Sequence, residues 1–267
     1  MGYKIKQPLI WENVGAGQTA TARIPVGSAV YDEFAINYKT NANQSTIETD
    51  ITEVRVLINE RVQRVASSSQ ILDIAETLGG TFVAGFLPVY FGNPFLNGSI
   101  SQKALTLGTD GDVKSVKIEV DIASGATSPV LSGYSSYERG IKESVEIERW
   151  KRRTLQVGAT GKLDVLDLGQ DILNAIYAFE GSAGDISAIK IFDGSLKVYD
   201  LSDAENQHLN ATHGLANSVS DLYPVVFAHD RLLTSVLVPE TEDLRMEIDY
   251  SASNNSTLIF CSVGGLL

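Results

Sequence analysis

Two stretches decide the fold: EVRVLINERVQRVASSSQILDIAETLGG, residues 53–80, and SAIKIFDGSLKVYDLSDAENQHLNATHG, residues 187–214. Each reads as apolar alternation, a two-residue turn, renewed alternation, then a capped helix ending in glycine. Val54, Val56 and Ile58 alternate with Arg55 and Leu57, and Ile189 and Ile191 alternate with Lys190 and Phe192. Period-two alternation of β-branched residues is the strand signal. The turn pairs are Asn59-Glu60 and Asp193-Gly194, 134 positions apart in a chain of 267. Glycine enters a tight hairpin turn without steric cost, whereas glutamate there is strained. Ser67 with Gln70, and Ser202 with Glu205, have capping-box spacing, so each side chain satisfies the other's backbone donor. Ile71, Leu72, Ala75 and Leu78 then form one apolar helix face, while the second helix sets His208 and Leu209 on a polar background.

Working outward, the order of elements repeats. Pro88–Phe91 matches Pro224–Phe227, Lys117–Asp121 matches Arg245–Asp249, and Val26-Gly27 is aligned with Val157-Gly158. An internal repeat outranks any local reading. The remaining strands read as Thr19–Val26, Val30–Tyr38, Val113–Ile122, Val130–Tyr137, Arg149–Val157, Lys162–Leu168, Leu222–Ala228, Leu244–Tyr250 and Ser256–Val263. Residues 40–45 read as a polar loop, Asp171–Phe179 as a strand or short helix, and Phe82–Phe91 as a strand buried on both faces. The expectation is an all-β chain of two tandem eight-stranded jelly rolls, a double jelly roll, each with one short helix between its fourth and fifth strands. Its parts are an N-terminal arm at 1–17, a first jelly roll at 18–140, a connection at 141–148 and a second jelly roll at 149–267.

Composition narrows the function. The formal net charge is −12, which repels nucleic acid and anionic lipid at long range, so no specific nucleic-acid binding is expected. One cysteine, Cys261, sits in an apolar run, so no disulfide framework exists. The N-terminal residues lack the apolar core of a signal peptide, and no segment has the roughly 18 apolar residues of a membrane span. Synthesis in a cytoplasm is expected.

Catalytic motifs are missing. His208 and His213 are five apart rather than four, and with His229 they supply no metal-site spacing. Glu119 with Asp121, and Glu247 with Asp249, are carboxylate pairs on one strand face, at a separation a glycosidase could use. The solvated face of a sandwich explains them equally. Asp110 and Asp112 flank Gly111 and are candidate calcium ligands. Arg149, Lys151, Arg152 and Arg153 surround Trp150, the densest basic run in an acidic chain. Alternation puts Trp150 and Arg152 on one face and the other three opposite. With Lys4, Lys6 and Trp11 of the arm, Arg149, Trp150 and Arg152 are the candidate interface or membrane-facing residues.

Tandem jelly rolls without catalytic residues resemble the double jelly-roll major capsid proteins, most of all the corticovirus-type group of membrane-containing bacteriophages. The residues that carry the likeness are 54–79, GFLPVYFGNPF at 85–95, ALTLGTDGDVKSVKIEVDIASGATSPVLSGY at 104–134, and IKIFDGSLKVYDLSDAENQHL at 189–209. The resemblance implies a structural coat protein, not an enzyme. It implies a homotrimer of pseudo-hexagonal outline in an icosahedral virion capsid over an internal lipid membrane. The partners implied are neighbouring capsomers, a vertex (penton) protein and membrane-associated virion proteins, with calcium associated. The rival reading is a carbohydrate-active or glycan-binding tandem β-sandwich.

Overall fold

The computed structural model describes residues 4–95, 99–109, 111–140, 146–165, 168–169, 171–216, 219–227 and 235–265. The chain divides into two compact units: residues 1–75, 80–150 and 264–267, and residues 76–79 and 151–263. Up to residue 140 the elements are β1 (Ile5–Pro8), β2 (Trp11–Glu12), β3 (Thr19–Ile24), β4 (Ala29–Tyr38), α1 (Gln44–Asp50), β5 (Ile51–Ile58), β6 (Arg61–Ala66), α2 (Ser68–Thr77), β7 (Phe86–Tyr90), α3 (Ser99–Ala104), β8 (Leu107–Gly108), β9 (Val116–Ile122) and β10 (Leu131–Arg139). Beyond it come β11 (Ile147–Leu155), β12 (Gly161–Val165), β13 (Ile172–Phe179), β14 (Ile186–Asp193), β15 (Leu196–Ser202), α4 (Asp203–Thr212), β16 (Leu222–Val226), β17 (Leu244–Tyr250) and β18 (Ser256–Gly264).

In the first unit one sheet runs β1-β10-β4-β7, and β6-β5-β9-β3 run side by side in another with β2 on the edge of β3. In the second unit the orders are β11-β18-β13-β16 and β15-β14-β17-β12. Among the described residues eight strands of the first unit correspond one for one to eight of the second, with β2 and β8 additional in the first, so each is a jelly roll. The eighth strand of the first unit is β1, which lies in the stretch read from sequence as an arm. Ile5–Pro8 pairs with Tyr137–Tyr134 of β10, and Trp11-Glu12 pairs with Ala22-Thr21 of β3.

The correspondence extends to irregularities that no hydrophobic pattern displays. In the β5–β6 hairpin Val56 faces Arg64 but Leu57 faces Val62, so Gln63 is an extra residue. In the β14–β15 hairpin Ile191 faces Tyr199 but Phe192 faces Lys197, so Val198 is extra, 135 positions after Gln63. A second pair of bulges sits at Asp32 in β4 and Asn174 in β13, where the register against β10 and β18 slips. The carbonyl of Asp32 accepts from Phe91 N at 2.7 Å, and that of Asn174 from Phe227 N at 3.1 Å. A bulge turns the following side chain and sharpens the strand twist.

Local chemistry explains the helices. Ser67 and Gln70 bond reciprocally (3.0 and 3.2 Å) ahead of α2, and Ser202 and Glu205 form the capping box of α4. The inward face of α4 is polar: Asn206 and Asn210, fully buried, donate to the Pro224 carbonyl at 3.0 and 3.2 Å, and Tyr199 donates to Asn206 at 2.5 Å. This face replaces the apolar one that α2 shows at Ile71, Leu72 and Ile74.

Several expectations need correction. The first unit has two more helices than the single one expected. The loop expected at 40–45 leads into α1, which is capped by the Asn43 side chain on Thr46 N at 2.8 Å. α3 fills part of the connection after β7. The Phe82–Phe91 run is not buried on both faces: β7 alternates, with Leu87 and Val89 inward, and Val83 is 59% exposed. Among the described strands β13, β16 and the middle of β18 are buried on both faces instead. Asp171–Phe179 resolves to a strand, not a helix. Asn59-Glu60 does form the expected turn, with φ of 52° and 64°, a left-handed pair that only Asn tolerates well. In the second hairpin the turn pair is Gly194-Ser195, one residue later than expected, because Asp193 still pairs with Leu196. Register also shows that Val26-Gly27 does not correspond to Val157-Gly158. Ala20 faces Val120 as Leu163 faces Ile248, so this part of the repeat is offset by 143 positions. Of the expected connection at 141–148, residues 141–145 lie outside the described residues, and Ile147-Glu148 already belong to β11.

Two measurements check this construction. Gly133 in β10 has φ of 131°, and a Cβ there would lie 2.1 Å from the Ala35 carbonyl oxygen. Gly133→Ala therefore lowers unfolding free energy by about 2 kcal/mol or more in denaturant melts. Asn206→Ala leaves the Tyr199 hydroxyl without its buried acceptor and costs about 1–3 kcal/mol. Asn210→Ala costs less, because Asn206 still serves Pro224.

Candidate functional site

Both carboxylate pairs are built around a cation on the neighbouring strand. Arg55 of β5 lies between β9's two acids: its Nε reaches Glu119 at 3.1 Å, and Nη1 and Nη2 take both oxygens of Asp121 at 2.8 and 2.9 Å. Nη1 also bonds Glu53 at 2.6 Å, and Thr19 of β3 donates to Asp121 at 2.6 Å. In the second unit Lys190 of β14 stands 3.2 Å from Glu247 and 3.7 Å from Asp249, and Lys162 of β12 reaches Glu247 at 2.9 Å. Arg55 and Lys190 are 135 positions apart, and each acid pair recurs after 128.

This geometry suits neither an acid–base pair nor a nucleophile. Burial raises the Asp121 carboxyl, but the hydrogen bonds from Arg55 and Thr19 outweigh it and hold the group below its ordinary value. The bond from Lys162 likewise holds Glu247 low, against burial, with Lys190 adding to it. A general acid needs the opposite shift. Pairs this exposed contribute at most about 1 kcal/mol each, chiefly to strand register. The sequence shows the acids by alternation, but Arg55 and Lys190 as their partners emerge only from strand pairing.

Other candidates fall elsewhere. His208 is exposed on α4, His213 caps its end, and His229 lies outside the described residues. Cys261 is buried. Asp110 lies outside the described residues, so the calcium expectation rests here on Asp112. The Asp112 carbonyl accepts from Asn59 at 2.8 Å, and the Lys114 ammonium holds the Gly111 carbonyl at 2.8 Å. Among the described residues no three of His, Cys, Asp and Glu gather as a metal site.

The basic run divides by depth. Arg149 is 6% exposed and lies against Gly264, where a Cβ would meet its guanidinium at 2.8 Å. Trp150 is half-buried beside the Arg64 guanidinium (5.4 Å), and its Nε1 donates to Glu148 at 2.8 Å. Lys151, Arg152 and Arg153 are exposed in sequence, so strict alternation of faces lapses there, and Lys151 pairs with Asp171 at 2.5 Å. The N-terminal candidates are engaged within the first unit. Lys4 pairs with Asp32 at 3.1 Å, Lys6 lies over the Tyr134 ring at 4.8 Å, and Trp11 Nε1 donates to the Ser132 carbonyl at 3.1 Å. No helix among the described residues is long and apolar enough to cross a membrane.

No curated protein sequence matches the chain. Its fold is similar to that of the major capsid protein P2 from bacteriophage PM2, with a TM-score of 0.84 at 20% identity over 98% of both chains. It is similar also to the STIV MCP (TM-score 0.71, 10% identity, 98% of this chain and 97% of that one). A third likeness is to the PBCV-1 virus capsid (TM-score 0.69, 8% identity, 98% and 94%). Residues 6–138 match the family model of the viral coat protein P2 N-terminal domain. Residues 6–138 thus belong to the viral coat protein P2 N-terminal domain family, and the protein is a structural coat protein of the virion with the double jelly-roll fold.

Proposed function

We propose that this coat protein works as a trimer of pseudo-hexagonal outline, and that the trimers tile an icosahedral shell over an internal lipid membrane. The observation that carries the reading is the duplication itself. One chain holds two jelly rolls with the same strand order and the same two bulges. Three copies therefore present six similar units, and a ring of such units closes on itself with repeated contacts.

Charge supports the same reading. The chain carries −12, yet Lys151, Arg152 and Arg153 stand exposed together. In the proposed shell this strip meets the acidic surface of a neighbouring copy, and Lys4, Lys6 and Trp11 hold the N-terminal strand in place. Each contact is weak and the closed shell multiplies it. Calcium is proposed as a counter-ion shared between copies, with Asp110 and Asp112 among its ligands. A vertex (penton) protein and membrane-associated virion proteins complete the proposed set of partners.

Light scattering on the purified chain is expected to give the mass of three chains, growing to larger particles with added calcium or lipid vesicles. A monomer under every condition overturns the trimer. Arg152→Glu with Arg153→Glu is expected to raise the salt needed for assembly, because like-charged faces then meet. Unchanged assembly at low salt rejects the strip as a contact. Chelator added to formed shells is expected to loosen them, and equal stability with and without chelator removes calcium from the scheme.

A further inference from the structure

Glu180 ends the strand β13 and opens the loop to β14. Its carboxylate accepts from Asp185 N at 2.8 Å, and its own N–H donates to the Asp221 carbonyl at 2.8 Å. The loop is tightly built. Gly184 has φ of 80°, and a Cβ at Gly181 would meet Asn254 at 2.7 Å. Ser251 holds the Gly184 carbonyl at 2.6 Å. Beside Glu180 is a polar cavity of about 60 Å³, lined among others by Asp203, Gln207, Ser220 and Leu222. Asp203 is the first residue of α4, and its carboxylate is held by Gln207 at 2.8 Å.

Two kinds of group act on Glu180, an acid and backbone N–H donors. Asp203 faces it from α4 and raises it; on its own loop the backbone N–H groups of Gly184, Asp185 and Ile186 lower it. From β17 comes Tyr250, itself pushed up by burial and then by Glu180 and Asp185. The Asp185 carboxylate is turned away, to Ser182 N at 2.6 Å and Asn254 at 3.0 Å. Burial first, and Asp203 after it, lift the Glu180 carboxyl to about 7 in spite of those donors. At neutral pH this cavity therefore changes its charge.

We propose that the cavity beside Glu180 is a proton-operated latch, closed in acid and loosened toward neutrality, that controls the N-terminal turn of α4 and the chain at 219–222. Protonated, Glu180 sits beside Asp203 without repulsion. Ionised, it sets a second negative charge against Asp203 in a partly desolvated space, and opening the turn to water relieves both. The closed form has the raised pKa and the open form an ordinary one. Closing therefore takes up a proton between about pH 4.5 and 7, and the opening constant rises with pH across that window by up to about tenfold per unit. Above it the rise stops. All the groups lie in one chain, so the latch does not depend on the trimer.

Hydrogen exchange of the α4 amides in the full-length chain, corrected for intrinsic rate, tests this between pH 5 and 8. The expected result is a rising opening constant up to about pH 7 and then a plateau. Glu180→Gln is expected to flatten the profile. Asp203→Asn is expected to keep the rise but end it at lower pH. A flat profile in the unaltered protein, or the same slope in Glu180→Gln, overturns the latch. Should Glu180→Gln not fold, carboxyl ¹³C titration of the unaltered chain decides: a Glu180 midpoint near 4.5 overturns it, and one near 7 supports it.

Discussion

The bulge in each hairpin is the constraint on which the rest depends. One extra residue, Gln63 or Val198, rotates the next side chain toward the interior. In the first unit that side chain is Arg64, 3% exposed, which donates to the carbonyls of Tyr90 and of Glu148 (2.6 Å) and lies 4.6 Å over the Phe91 ring. In the second unit it is Tyr199, which donates to Asn206 of α4. The chemistry differs, but the task is shared: a polar head, brought inside by the bulge, ties the hairpin to its surroundings. A buried charge is tolerable only when such partners are present. The bulge and the bonds it aims are therefore retained together.

The charges outside follow a second shared plan. In each unit one cation on the β5 or β14 strand sits across from two acids on the adjacent strand, Arg55 with Glu119 and Asp121, Lys190 with Glu247 and Asp249. Arginine in the first unit grips three carboxylates through its planar fork. Lysine in the second is a point charge and shares its acids with Lys162. The two lysines balance the two acids of the second unit, whereas Arg55 leaves its three carboxylates in excess.

The two units also differ in how they respond to protons. The Asp121 carboxyl, held low by Arg55 and Thr19, favours the folded state above its ordinary pKa and loses that contribution in acid. Glu180, raised by burial and Asp203, acts in the reverse sense and favours the closed state in acid. One coat chain thus carries opposed pH dependences in its two halves, set by whether a carboxylate faces a cation or another acid.

Sequence alone determined the duplication, the strand alternation at 54–58 and 189–191, the Asn59-Glu60 turn and both capping boxes. These are properties of residues close in the chain, governed by side-chain period, backbone freedom and reach to a nearby N–H. The residues quoted at 54–79 and 85–95 also carried the likeness to capsid proteins. What escaped was everything fixed by partners far away. β1 has only four residues and is a strand because β10 is there to pair with it. α1 depends on the Asn43 cap, hidden in a polar run that equally suits a loop. β7 keeps one face open although its residues are apolar enough to bury both. The bulges, Arg55 between its two acids, and the shared cavity of Glu180 and Asp203 exist only once strands are in register, because a one-residue slip would carry every one of these side chains to the other face.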